Sequence, residues 1–382
     1  MKILGIAAEY NPFHEGHRYH LERSMEITGA DVSAAVMSGN FTQRGEPAVF
    51  DKWIRAETAV RNGVDLVLEL PFIYACNSAE FFAEGAVRIL DGIGASFMSF
   101  GSESGDIEKL TAVAGFFAEE TDEYRQQLKK GLQDGLSFAK ARSTAAESIM
   151  GEGASDVFTG SNNILAVEYL KQIKLRESGI TPVTVRREGA GHTDTLEDTP
   201  MPSALAIREE MERRGEKDAV FPEDIYPMIM QALMTGTAEE LGEILAVSEG
   251  LENKMKSRFR YARDFKSLVG ELASKRYAYS RIRRMLIHTL MGLTKEKFSR
   301  VRNHPYARVL AFSGRGAEAL RQIKDREPDV PVITNINKEV TPDDAIWETL
   351  SFDVLASDIY NLAAGRDIYE GCDMLKTAAV CK

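Results

Sequence analysis

Residues 2–8 (KILGIAA) run directly into residues 9–17 (EYNPFHEGH), and this junction decides the fold. The first stretch is a short apolar run of strand length, buried-strand material by pattern. Asn11-Pro12 turns the chain at the run's end, and from Gly16 the pattern becomes that of a helix carrying Tyr19, Leu21 and Met25. Outward from this unit the alternation repeats. Residues 31–37 (DVSAAVM), 64–70 (VDLVLEL) and 95–100 (ASFMSF) read as further strands, with helices over 52–62 and around Phe81–Leu90 between them. Residues 181–185 (TPVTV) make a fifth strand, and a helix over 203–213 starts on Ser203 as its N-cap. Strand and helix alternating in units of roughly 25–35 residues predict an α/β, doubly wound parallel-sheet (Rossmann-like) domain.

That domain is assigned to residues 1–215, with a polar helical insertion at about 106–150. Residues 216–302 are helical throughout. Residues 303–382 return to strands (309–312, 330–334) and helices (317–323, 354–363), so a small α/β C-terminal unit is expected there. With 382 residues, 44% apolar and 27% charged, the chain is globular rather than disordered or fibrous. Its three cysteines, Cys76, Cys372 and Cys381, fit neither a disulfide framework nor a zinc site, so a reducing, cytoplasmic location is expected. The apolar start is broken at Glu9, too early for a signal peptide. No apolar run approaches about 18 residues, so no membrane span is expected.

Charge is distributed unevenly. The chain carries a net −11, yet residues 253–308 hold sixteen Lys/Arg against three Asp/Glu, a net +13. The remainder then has 31 basic and 55 acidic residues, a net −24. Such asymmetry suits one segment facing a polyanion while the rest repels it, or else a basic helix pair neutralised within the molecule. Within the segment, 274–286 (SKRYAYSRIRRML) interleaves Lys275, Arg276, Arg281, Arg283 and Arg284 with Tyr277 and Tyr279. Cations neutralise phosphates and tyrosines stack on unpaired bases, so these five are the candidate RNA-binding residues.

The strand–turn–helix junction also carries chemistry. Ligands of open α/β sheets bind at the carboxyl ends of the strands, and a helix starting there aims its positive end at an anion. His14 and His17, three apart at the helix entrance, can face one phosphate and hydrogen-bond it as charge develops. A metal site is the competing reading, because His14, His17 and His20 repeat every three residues. Arg18 breaks the HExxH pattern, however, and no metal ligand is assigned. His20 taken alone reads as a packing or surface histidine.

Beyond NPFHEGH, the chain presents SGNFTQRGEPAVFDKW, GVDLVLELP, FGSESGD, SNNILAVEYL, VRREGAGH followed by Asp194, PSALAIRE, SKRYAYSRIRRML and ASDIYNLA. This ordered set resembles the bacterial tRNA(Met) cytidine acetate ligases, members of the nucleotidyltransferase superfamily with an HxGH motif. The resemblance implies that ATP and acetate give acetyl-adenylate and pyrophosphate. The acetyl group then passes to N4 of the wobble cytidine of elongator tRNA(Met), forming N4-acetylcytidine. It places ATP on Ile6, Ala7, Ala8, Glu9, Tyr10, Asn11, Pro12, Phe13, His14, Glu15, Gly16, His17, Arg18, Tyr19 and His20, and on Gly101, Asn162 and Arg187. His14, His17 and Arg187 are the expected catalytic groups, with Mg²⁺ accompanying ATP. Asn163 and Arg186 stand beside Asn162 and Arg187 and compete for their roles. Ser203 and Arg208 resemble a late Ser/Arg pair aimed at the β- and γ-phosphates, and Lys52 is read either as a phosphate ligand or as a solvated lysine. The alternatives are a small-molecule adenylyltransferase, which leaves the +13 segment unexplained, and a non-catalytic ATP-sensing RNA-binding protein. Acetate-dependent release of pyrophosphate separates the three. The oligomeric state is left open.

Overall fold

The computed structural model of the chain describes residues 1–151, 157, 160–187, 203–342, 344–371 and 373–381. Gly191, His192 and Asp194 of the VRREGAGH stretch, and Cys372, lie outside the described residues. Eight strands form one sheet: β1 (Ile3–Ala8), β2 (Val32–Ser38), β3 (Leu66–Leu70), β4 (Phe97–Ser102), β5 (Thr181–Arg186), β6 (Ala307–Phe312), β7 (Val332–Ile333) and β8 (Ala379–Val380). Their order is β5-β4-β1-β2-β3-β6-β7, with β8 also on β6. The first five strands are mutually parallel, as the alternation predicts. Every residue of β2 and β3 is buried, because helices cover both faces of the sheet. The order reverses at β1: β2 and β3 follow on one side and β4 and β5 on the other, so β1 flanks the crevice where ligands of such sheets bind.

The C-terminal strands correct one expectation. They do not form a small unit of their own. β6 pairs antiparallel with β3, Leu66 opposite Phe312 and Glu69 opposite Arg308, and β7 and β8 extend the same sheet through β6. The reason is a buried ion network. The Lys52 Nζ sits 2.6 Å from Glu69 and 2.5 Å from Asp373, and Arg308 reaches the same two carboxylates at 3.3 and 2.6 Å. All four residues are buried, so separating β6 from β3 would strand charges in a low-dielectric interior.

The helices Ile107–Glu119, Asp122–Gln133 and Phe138–Met150 make the expected insertion, packing through Leu110, Val113 and Phe117 into the main core. The helical region contributes Ile225, Leu268, Ile282 and Leu286 to that same hydrophobic cluster. It is therefore continuous with the sheet's core rather than tethered beside it.

Candidate active site

The helix Glu15–Thr28 begins at the carboxyl end of β1, and its N-cap is His14. Two histidines do the work usually done by Ser and Glu in a capping box. His14 Nδ1 accepts from Gly16 N at 3.1 Å, and His17 Nδ1 accepts from His14 N at 3.2 Å. The rings stack at 3.8 Å between centroids, 28° from parallel. Because each Nδ1 is an acceptor it carries no proton, so the hydrogen bonds assign both neutral rings to the Nε2–H form. Burial, helped by Arg187 and Arg208, lowers the His14 pKa to about 4. Burial, His14, His20 and Arg187 hold His17 well below its ordinary value. Both are therefore uncharged Nε2–H donors at pH 7. A Cβ on Gly16 would stand 2.9 Å from His14 Cε1, so any side chain there displaces the ring. Tyr10 and Phe13 close around His17 with centroids at 5.0 and 5.5 Å.

Across the sheet edge stands a second group. Arg187, one residue beyond β5, donates to Asn162 Oδ1 at 3.2 Å, and Asn162 Nδ2 donates to Glu103 Oε1 at 2.8 Å. Glu103 also accepts the backbone N–H groups of Asn162 and Asn163, capping the helix Ser161–Leu175. Asn163 is buried, and its Oδ1 accepts from the backbone of Glu103 and Ser104. Of the adjacent pair, Asn162 thus meets Arg187 and Asn163 is committed to the loop. The arginines separate as the pleat requires: Arg186 lies against Gly105, whereas the Arg187 stem passes over Gly101, where a Cβ would meet Cγ at 3.4 Å.

Other residues of the 6–20 span serve the frame. Ile6 is core. Asn11 Oδ1 accepts from Val49 N and Glu9 Oε1 from Gln43 N, tying the turn to the 39–50 loop. Arg18 turns away to Asn62, and Glu15 is exposed. His20 shares a hydrogen bond with Ser99 at 3.0 Å, a packing histidine as its isolated reading suggests. Lys52 does not reach a phosphate position: its ammonium is consumed by Glu69 and Asp373. Ser203 spends its hydroxyl on Ala206 N as the helix cap, but Arg208 donates to Asn11 O at 2.7 Å and its charge acts on His14.

Two residues escaped the sequence reading. Arg55, buried, donates to the carbonyls of Glu9, Ser38, Gly39 and Phe50, clasping the ends of β1 and β2 to the loop. Arg44 sits in the turn closed by Gly45 N and Thr42 O, near enough for its charge to act on Arg208. Among the described residues the Arg44 guanidinium makes no hydrogen bond or ion pair. Its signal in the sequence was its place in the SGNFTQRGEPAVFDKW stretch, as a cation preceding the glycine of a turn.

The candidate RNA-binding residues are mostly engaged. Arg276 pairs with Glu249, and Arg281 donates to Ala246 O and Ser248 Oγ. Arg283 pairs with Glu46 and Arg284 donates to Gln43 O at 2.9 Å. These last two clasp the helix Tyr279–Met291 to the loop beside the site. Of the five, Lys275 alone shows no such partner among the described residues. Gly45 makes the clasp possible: its φ is +78°, and a Cβ would lie 2.3 Å from Arg284 N.

Residues 1–371 match the family described as HIGH Nucleotidyl Transferase. The chain belongs to the HIGH nucleotidyl transferases. Within that family, a tRNA(Met) cytidine acetate ligase of Caldanaerobacter subterraneus is 41% identical over 389 residues, covering 95% of this chain and 96% of the relative. A tRNA(Met) cytidine acetate ligase of Acetivibrio thermocellus is 37% identical, with 94% of each covered. The crystal structure of Thermotoga maritima TmcAL without ligand superposes with a TM-score of 0.92 at 33% identity, over 100% of this chain and 99% of that one. The same protein bound with alpha-thio ATP gives a TM-score of 0.88 at 32% identity, with the same coverage. Among HIGH nucleotidyl transferases, then, this chain groups with the cytidine acetate ligases over nearly its full length.

Proposed function

We propose that this protein is a tRNA(Met) cytidine acetate ligase that forms acetyl-adenylate from ATP and acetate at the β1 edge and acetylates N4 of the wobble cytidine of elongator tRNA(Met). The observation that carries the reading is the pair of neutral Nε2–H histidines at a helix N-terminus, facing a cluster of arginines. An acetate oxygen attacks the α-phosphorus, and the bond to the bridging oxygen breaks as pyrophosphate leaves with the electron pair. The carboxylate is already ionised, so this step needs no general base. It needs positioning and stabilisation of charge on the phosphate oxygens. His14 and His17 supply donors without adding fixed charge, Arg187 and Asn162 bind the nucleotide across the edge, and Arg208 with Arg44 takes the departing pyrophosphate. The cytidine amine then attacks the acyl carbon, and AMP leaves as the nitrogen loses a proton. Magnesium enters as the counter-ion of the triphosphate. Among the described residues no helix is long and apolar enough to cross a membrane.

Labelled acetate tests this directly. Incubated with ATP and bulk tRNA, the protein is expected to leave N4-acetylcytidine in the elongator tRNA(Met) fraction, read by nuclease digestion and mass spectrometry. Pyrophosphate released without need of acetate, with no acetate label in RNA or in acetyl-adenylate, would support the small-molecule adenylyltransferase instead.

A further inference from the structure

The +13 segment is largely spent inside the molecule. Lys254 and Lys256 donate to the carbonyls that end neighbouring helices, at Leu272, Ala273, Leu233 and Gly236. Arg300 pairs with Glu348, Arg302 with Glu84, and Arg308 lies in the buried network. Among the described residues the densest exposed group of cations is one short stretch, residues 258–266, built on the 3₁₀ turn Phe259–Tyr261; Lys275 is exposed apart from it. Phe259 and Phe265 are buried and hold it in place. Arg258, Arg260, Arg263 and Lys266 are all exposed around them. The acids nearby neutralise these cations in part, the Asp264 charge acting on Arg263 and Lys266. Asp264 spends its carboxylate capping the helix Phe265–Leu272, and Glu271 is 3.9 Å from Arg258 only. Between the cations stands Tyr261, 69% exposed, its ring 5.8 Å from the Arg258 guanidinium. An exposed tyrosine among these exposed cations suits a polyanion that also presents unstacked bases.

We infer that the turn at residues 258–266, rather than the helix Tyr279–Met291, is the main docking surface for the tRNA backbone, with Tyr261 stacking on an unpaired base. The inference rests on the proposed tRNA substrate. It moves the RNA contact away from Arg283 and Arg284, whose guanidinium groups already hold the active-site loop.

The test uses the full chain. Arg260→Ala, Arg263→Ala and Lys266→Ala are combined and titrated with bulk tRNA between about 50 and 200 mM salt, with acetate-dependent pyrophosphate exchange measured in parallel. Each lost phosphate contact removes about 0.7–0.9 from the slope of log affinity against log salt. The triple variant is therefore expected to lose about two units of slope and to bind at least ~10-fold more weakly near 100 mM salt, while exchange stays at the wild-type rate. Tyr261→Ala is expected to weaken binding about 5-fold or more with the slope unchanged, and Tyr261→Phe to restore it. A triple variant with wild-type affinity and slope overturns the inference. So does loss of binding that follows Lys275→Ala instead, or a wild-type chain that prefers phosphatidylserine vesicles to tRNA. A wild-type chain that binds tRNA through this turn yet shows no acetate-dependent exchange would fail the proposed function and leave the docking surface standing.

Discussion

At pH 7 the stacked rings of His14 and His17 are held neutral by burial and by the arginines around them, and each is left with a proton on Nε2 alone. Neutral donors leave the site's net charge to the arginines, and they do not titrate away in the physiological range. Replacing either histidine with Ala is expected to lower acetate-dependent pyrophosphate exchange by roughly 10²-fold or more while the fold persists, the usual effect of losing one preorganised donor. The same shifts set a pH dependence of stability. His14 and His20 have folded pKa values near 4, below the ordinary 6.5. The unfolded chain therefore binds more protons between pH 4 and 6.5. Stability is full above 6.5 and falls as pH drops toward 4, and melting temperatures across that window check the sign. The histidine motif was legible because its geometry is local, three residues on one helix end. The choices of Asn162 over Asn163 and Arg187 over Arg186 were not. Each depends on which side of a strand or cap a neighbour faces, and those neighbours, Glu103 and Gly101, lie 59 and 86 residues away in sequence.

Among elements, the joint between the 39–50 loop and the helix Tyr279–Met291 governs the site. Arg283 to Glu46, Arg284 to Gln43 O, and the close approach at Gly45 fix the turn that carries Arg44. Gly45→Ala places a Cβ into the Arg284 backbone at positive φ. It is expected to cost at least ~1–3 kcal/mol of stability and to raise the KM for ATP, measured by thermal melting and pyrophosphate exchange. Replacing Arg283 and Arg284 together with Ala is expected to slow adenylation itself, because the loop loses its anchor. If exchange in that double variant matches wild type and only tRNA acetylation falls, the clasp is unimportant and the two arginines are RNA ligands, as their sequence pattern alone suggests. The pattern could not show these partners for a physical reason: basic residues on a helix look alike whether they face solvent or a loop about 240 residues earlier. Lys52 misled likewise, since its partners Glu69 and Asp373 are invisible to local reading.

Over the whole molecule, one sheet and its largest hydrophobic cluster join segments that the sequence divides into three. The parallel strands were legible as apolar runs between helices. The closing of β6 onto β3 was not, because antiparallel pairing of strands about 240 residues apart leaves no periodic trace and depends on the buried charges that join them. Lys52→Met would leave Glu69 and Asp373 facing Arg308 alone. Breaking such a network is expected to cost about 3–5 kcal/mol, read as a lower urea midpoint with the slope unchanged. The shared cluster also ties the proposed adenylation site and the proposed docking turn to one frame. Pyrophosphate exchange in the absence of RNA therefore tests the central claim most directly. With ATP and labelled pyrophosphate, the wild-type chain is expected to exchange only when acetate is present, and the folded His14→Ala, His17→Ala double variant to lose at least ~10²-fold of that rate. Exchange that ignores acetate, or a folded double variant that exchanges at the wild-type rate, would contradict it.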